Sequence, residues 1–123
     1  MISLNFRQPY KLSDIITAAI EKFRANDLKF TYDGKAFNIY FKNYTESVSE
    51  DLVCYLDDET MVTDDDEEIY PEFVTEENLE LFYYGETFED VIFNALHQKA
   101  DPSMSELIQC LNYYSEHDSF LDL

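Results

Sequence analysis

Leu28-Lys29-Phe30-Thr31-Tyr32-Asp33-Gly34-Lys35-Ala36-Phe37-Asn38-Ile39-Tyr40-Phe41 is the stretch from which the rest of the chain is read. Leu28, Phe30 and Tyr32 alternate with polar residues before Asp33-Gly34, and Phe37, Ile39 and Phe41 alternate after it. Successive side chains of a strand point to opposite faces, so alternation of this kind marks a half-buried strand. Asp-Gly supplies the two positive-φ residues that a type I′ turn needs. The stretch therefore predicts an antiparallel hairpin and places a sheet in the middle of the chain.

Working outward, the flanks are helical. Leu12, Ile15, Ile16, Ala19, Ile20 and Phe23 recur at helical spacing, which predicts a helix from Asp14 to Ala25 with Ser13 as N-cap, broken by Asn26-Asp27. After a polar loop over Lys42 to Asp51, Leu52-Val53-Cys54-Tyr55-Leu56 reads as a third, central strand. Thr60-Met61-Val62-Thr63 reads as a short edge strand and Ile69-Tyr70 as a further one before Pro71. Thr75 precedes Glu76, Glu77 and a Leu79, Leu81 and Phe82 cluster, expected to form a short helix or turn. Phe88, Val91, Ile92, Ala95 and Leu96 form a helical stripe after a turn at Gly85, with Thr87 and Asp90 spaced as a capping box. Met104, Leu107, Ile108 and Leu111 form another, opened by the Ser103 and Glu106 box after Pro102. Helices at both ends and strands between them predict an α+β fold. A small, mainly antiparallel sheet would carry one N-terminal helix and two or three C-terminal helices on one face. The expected core includes Phe23, Ile39, Val53, Ile92 and Ile108.

At 123 residues the chain is read as a single domain, 1–123, large enough for a core without covalent staples. Aromatics are 16% of it, all Tyr and Phe, which separates it from acidic disordered tails. Lys and Arg number 8 against 27 Asp and Glu, a net charge of −19. Nucleic acid and anionic membrane surfaces would repel such a molecule, so neither is an expected partner. The charge is also segregated. Residues 1–44 carry seven cations and four acids, a net +3, whereas residues 45–123 carry one cation and 23 acids, a net −22. Solubility needs no such segregation; steering toward a basic partner uses it.

No apolar run approaches the ~20 residues of a membrane helix, and Met1 to Arg7 lacks the pattern of a signal peptide. Cys54 and Cys110, far apart and outside any CxxC, read as small hydrophobes in a reducing cytoplasm. The expected location is the cytoplasm.

Catalytic patterns are missing from the sequence. His97 and His117 have no nucleophile spaced beside them and read as surface residues. Cys54, Cys110, His97 and His117 share no zinc-ligand spacing. Asp64-Asp65-Asp66-Glu67-Glu68 starts like a calcium loop, but Ile69 stands where Gly is needed and Thr75 where Glu is needed. There is no Gly-rich phosphate cradle and no G-x-S-x-G. The expectation is a protein that is not an enzyme, with no catalytic residue, no cofactor and no metal.

The acidic tract is what remains. From Asp57 to Glu68 eight of twelve residues are acidic. On a strand, Asp64, Asp66 and Glu68 would share a face about 6.6 Å apart, close to the pitch of phosphates along a nucleic-acid strand. The partner-binding residues read from this region are Asp57, Asp58, Glu59, Asp64, Asp65, Asp66, Glu67, Glu68, Tyr70 and Glu72. A run of like charge is more often a solvated face. The tyrosines beside it, Tyr55, Tyr70, Tyr83 and Tyr84, favour an interface, where Tyr is enriched. Glu76, Glu77 and Glu80 offer a second acidic face.

The C-terminal half carries a resemblance. Tyr84-Gly85-Glu86-Thr87-Phe88-Glu89-Asp90-Val91-Ile92-Phe93-Asn94-Ala95, then Gln98-Lys99-Ala100-Asp101-Pro102-Ser103, then Leu107 to Asn112-Tyr113-Tyr114, with the acidic run before Pro71-Glu72-Phe73, is similar to a family of short acidic bacterial proteins of undefined function. Members of that sort resemble the immunity proteins that accompany contact-dependent growth-inhibition toxins. The resemblance spans roughly residues 54–118 and rests on helix faces and caps, so it specifies fold more than activity. It implies a protein that neutralises one cognate basic toxin domain, expected to be a nuclease, in a one-to-one complex that occludes the cleft. Two alternatives stand beside it: a nucleic-acid mimic directed at a restriction or nucleoprotein system, and a small acidic regulatory domain with no toxin partner.

Overall fold

The computed structural model describes residues 4–25, 37–42 and 49–123. The first arm of the predicted hairpin, Leu28 to Tyr32, its Asp33-Gly34 turn and most of the polar loop after Lys42 lie outside the described residues. The fold is α+β, as the sequence order implies. Strand β1 (Tyr10–Lys11) runs into helix α1 (Leu12–Arg24); β2 (Asn38–Phe41) and β3 (Val53–Asp57) follow. Then come β4 (Met61–Val62), β5 (Glu68–Ile69), α2 (Glu72–Glu76), β6 (Glu80–Tyr84), α3 (Gly85–Gln98) and α4 (Met104–His117). The main sheet has the order β1-β3-β2-β6 with every described pair antiparallel, so the strand around Cys54 is internal. Strands β4 and β5 form a separate two-stranded ribbon.

Alternation sorts the sheet's side chains into two cores. Ile39, Phe41, Cys54, Leu56 and Tyr83 join Leu12, Ile15, Ile16 and Ala19 of α1 with Phe88, Ile92, Leu107 and Leu111 of α3 and α4. Tyr40 points the other way and packs with Val74, Leu79, Tyr55, Phe73 and Leu81 in a smaller cluster. Helix α2 thus covers the face that the sequence left bare, and β2 is buried along its whole length. The register between β2 and β6 shifts between Ile39 and Tyr40: Ile39 faces Tyr83, but Tyr40 faces Leu81. Phe82 is the additional residue of this bulge, so Phe82 and Tyr83 both reach the main core.

Of the expected core residues, Ile39 and Ile92 are wholly buried, and Phe23 and Ile108 pack half-buried against the main core. Val53 departs from expectation: it is 46% exposed. It begins β3 on the second face, where cover starts at the next residue on that side, Tyr55, its ring 5.6 Å from that of Phe73.

The starts of the three long helices, α1, α3 and α4, follow one pattern. Where a start is open to solvent, the side-chain cap forms: Ser103 Oγ accepts from Glu106 N at 3.1 Å, and Glu106 Oε1 accepts from Ser103 N at 2.9 Å. Where another segment lies against the start, that segment's carbonyls replace the cap. Helix α1 begins at Leu12 after Lys11, not after Ser13, because Leu12 N donates to Leu52 O at 2.8 Å and Ser13 N to Glu50 O at 3.0 Å. Helix α3 begins at Gly85 directly after β6, with Gly85 N donating to Phe37 O at 3.1 Å, so the Thr87 and Asp90 box is not used.

Leu81 and Phe82, expected in a short helix or turn, lie on strand β6, and Leu79 links the turn at Asn78 to it. Helix α2 ends in a Schellman motif: Asn78 takes the left-handed conformation at φ 56°, Leu79 N donates to Val74 O at 2.9 Å and Asn78 N to Thr75 O at 3.3 Å. That reversal launches β6. Among the described residues, no helix is long and apolar enough to cross a membrane.

Candidate functional site

The acidic tract folds into the β4–β5 ribbon. Met61 pairs with Ile69 and Val62 with Glu68. Thr63 N donates to Glu67 O at 2.9 Å, Asp66 N donates to Thr63 O at 3.0 Å, and Thr63 Oγ1 accepts from Glu67 N at 3.1 Å. Asp66 sits at φ 63°. This is a three-residue hairpin loop closed by a left-handed residue, a position Asp tolerates better than most. Asp64, Asp65 and Asp66 therefore occupy the hairpin tip and do not lie along a strand. The phosphate-like ladder of Asp64, Asp66 and Glu68 is not formed. Adjacent carboxylates spread farther apart on a turn, and Asp side chains favour turns over strands.

Every residue from Met61 to Tyr70 except Thr63 is exposed. The apolar ones stand out: Met61 is 69% exposed, Val62 64% and Ile69 51%. Two-residue strands cannot bury these side chains against a core, so the ribbon presents apolar pairs among carboxylates.

Beside the ribbon lies a groove of about 600 Å³. Met61, Ile69 and Tyr70 line it from the ribbon, and Pro71, Glu72, Phe73 and Glu76 line it from the start and first turns of α2. Asp58, Glu59 and Arg7 complete it. Tyr70 Oη donates to Glu68 Oε2 at 2.7 Å, which holds the ring and raises the phenol above its ordinary pKa. Phe73 is braced by Tyr55. Four carboxylates face the groove against one guanidinium, and that guanidinium is engaged: Arg7 Nη2 is 3.1 Å from Asp57 Oδ1 and 3.5 Å from Asp58 Oδ2.

The ten residues read from sequence divide as follows. Asp58, Glu59, Tyr70 and Glu72 meet at the groove. Asp64, Asp65, Asp66 and Glu67 are exposed at and beside the hairpin tip, and Glu68 positions Tyr70. Asp57 is placed differently from expectation, with its side chain 0% exposed. It ends β3, accepts from Asp58 N at 2.8 Å and holds Arg7, so it supports the face from behind. Its Oδ2 has no hydrogen-bond partner among the described residues. Arg7, Met61, Ile69 and Phe73 also line the groove, with no local sequence pattern that marks them as site residues. Arg7 is more than forty residues away in the chain, and the apolar pairs are too short to show a period.

The tyrosines separate too. Tyr83 is core: its hydroxyl donates to Leu111 O, and burial raises its pKa. Tyr40 is wholly buried, its hydroxyl donating to Asp58 O at 2.8 Å. Tyr84 is exposed beside a second depression of about 360 Å³, shared with Tyr114, Ser115 and Asp118. The two cysteines are free and buried, and burial pushes the Cys54 thiol up to about 12. A thiol so raised is inert as a nucleophile at neutral pH. His97 lies edge-on to Phe23, ring centroids 5.1 Å apart, and His117 lies 4.3 Å from the Tyr113 ring.

No curated protein matches the chain, and no solved structure matches it. A family model does, over residues 13–123, which takes in α1 through α4 and the whole acidic ribbon. The chain belongs to the family described as a domain of unknown function, DUF7716.

Proposed function

We propose that this protein is an inhibitor of the immunity type, which binds a basic toxin domain, a nuclease, one-to-one in the cytoplasm and covers its substrate cleft without performing a reaction. The observation that carries this reading is the exposed β4–β5 ribbon, where a triple-Asp tip adjoins the apolar Met61, Val62 and Ile69. The resemblance of the C-terminal half to immunity-like proteins points the same way.

The ribbon divides the task physically. A nuclease must hold phosphates, so its cleft is cationic. Opposite charge accelerates capture, toward ~10⁸–10⁹ M⁻¹s⁻¹ at low salt. Charge alone releases as fast as salt screens it, so retention needs desolvated contacts. The exposed apolar pairs and Tyr70 supply those contacts. The hairpin turn removes the evenly spaced carboxylates that would imitate phosphates, so occlusion of the cleft here rests on the charge of the tip and on the apolar contacts and not on phosphate-like spacing.

The test is to purify the protein with a basic toxin domain encoded beside it and to measure nucleic-acid cleavage. Cleavage should fall to background at a one-to-one ratio, and inhibition should weaken as salt rises. Full-rate cleavage with saturating partner, or no complex at low salt, would refute the reading. A complex that still binds substrate would refute cleft occlusion.

A further inference from the structure

We infer that the groove between the β4–β5 ribbon and α2 seats an arginine side chain from a basic protein segment. The inference rests on the reading that this face binds a basic protein, and it names the chemistry of the anchor. Three groove carboxylates, Glu59, Glu72 and Glu76, make no ion pair among the described residues, and all three are exposed. They face the same space as the rings of Tyr70 and Phe73. That combination fits a guanidinium. It is planar, it stacks on aromatic faces, and it takes carboxylates in a two-pronged fashion that an ammonium cannot match. Its aliphatic stem suits Met61 and Ile69 at the mouth.

The walls are already set. Glu68 holds the Tyr70 hydroxyl at 2.7 Å, and the Tyr55 ring lies 5.6 Å from that of Phe73. Phe73 and Tyr55 in turn lean on Tyr40, Val74 and Leu79, so little side-chain freedom is lost on binding. One guanidinium is already held at this end of the molecule, since Arg7 closes the groove against Asp57 and Asp58. The volume, about 600 Å³, leaves room for a second.

The experiment uses the free protein and three end-blocked peptides, hexa-arginine, hexa-lysine and hexa-citrulline, followed by two-dimensional NMR with methyl signals assigned. Hexa-arginine should bind roughly 2–5-fold more tightly than hexa-lysine, the advantage expected of a cation stacked on an exposed ring. Hexa-citrulline, equal in shape but uncharged, should not bind. Shifts should concentrate on Met61 and Ile69. A Glu72→Gln, Glu76→Gln variant should lose the arginine advantage, whereas Asp64→Asn, Asp65→Asn at the tip should weaken both cationic peptides alike. Equal binding of the two cationic peptides, shifts spread over the whole acidic surface, or an arginine preference untouched by the groove variant would each overturn the inference. The peptide comparison needs no variant to fold and no toxin to be present. An arginine seat with no inhibited toxin would count against the proposed function alone, and an inhibited toxin with no arginine seat would place its anchor elsewhere.

Discussion

Arg7 Nη2 lies 3.1 Å from Asp57 Oδ1, an ion pair whose carboxylate is wholly buried and whose guanidinium is half exposed. Arg7 reaches it from a left-handed backbone, φ 65°, with its own N–H donating to Leu56 O at 2.8 Å. The segment before β1 is thereby fastened to the end of β3, at the edge of the groove. Removing the cation leaves Asp57 buried with an unmatched charge, which costs more than the pair itself contributes. Arg7→Met, which keeps the backbone strain and removes only the charge, should destabilise the fold by about 1–3 kcal/mol, discounted for the exposed guanidinium. Adding Asp57→Asn should recover part of that loss, since Asn can still accept from Asp58 N. Urea unfolding of the three proteins checks this; a double variant no better than Arg7→Met would show that the pair is not the cause.

Gly85 opens α3 where β6 ends, against the backbone of Phe37. A Cβ built on Gly85 would lie 2.1 Å from Phe37 O and 3.1 Å from Phe37 C. Helix propensity favours Ala over Gly by about 1 kcal/mol. The contact is with backbone, which cannot rotate away, so sterics should win. Gly85→Ala should lower stability by about 1–3 kcal/mol net, read from the denaturation midpoint. A stabilised variant would mean that α3 does not approach β2 this closely.

Glu106 closes the α4 capping box and also meets Lys99 Nζ at 2.8 Å. Lys99 and the Ser103 N–H hold its carboxyl below the ordinary glutamate value. The folded protein therefore binds this proton less readily than the unfolded chain. Its contribution is present above the unfolded value of about 4.3 and is lost as pH falls through the lower folded value. Lys99→Met should flatten the stability profile in that acidic window while leaving its shape near neutrality unchanged. Ser103→Ala should cost about 0.5–2 kcal/mol. Unfolding curves from pH 3 to pH 7 test both; identical slopes for wild type and Lys99→Met would contradict the assignment.

The parts of this fold that follow a period were readable in the chain. The stripes of α1, α3 and α4, the internal strand around Cys54 and the Ser103 cap all come from local rules, and each stands where those rules place it within three residues. What the chain conceals is tertiary. Ser13 and Thr87 look like caps, but Leu52, Glu50 and Phe37 carbonyls take the donors instead. Leu79 and Leu81 read as a short helix or turn because α2 is only one turn long and its Asn78 stop acts through backbone conformation. At the site, Asp57 and Asp58 are neighbours of identical chemistry, yet one is buried beneath the face and the other lines the groove. Asp57 is the last residue of β3, paired with Asn38, whereas Asp58 lies just past the strand end, and only the position of β3 in the sheet says which is which. The spacing of Asp64, Asp66 and Glu68 would imitate phosphates only on a strand; the turn that prevents it is set by Thr63 and by the left-handed Asp66.

The central claim, that the ribbon and groove form the binding face, is tested most directly by amide hydrogen exchange on the protein alone and in complex with the basic toxin domain. Backbone amides from Asp58 to Glu76 should slow in the complex, with α3, α4 and the second depression beside Tyr84 unchanged. Protection confined to α3 and α4, with Met61, Val62 and Ile69 exchanging as freely as in the unbound protein, would contradict it.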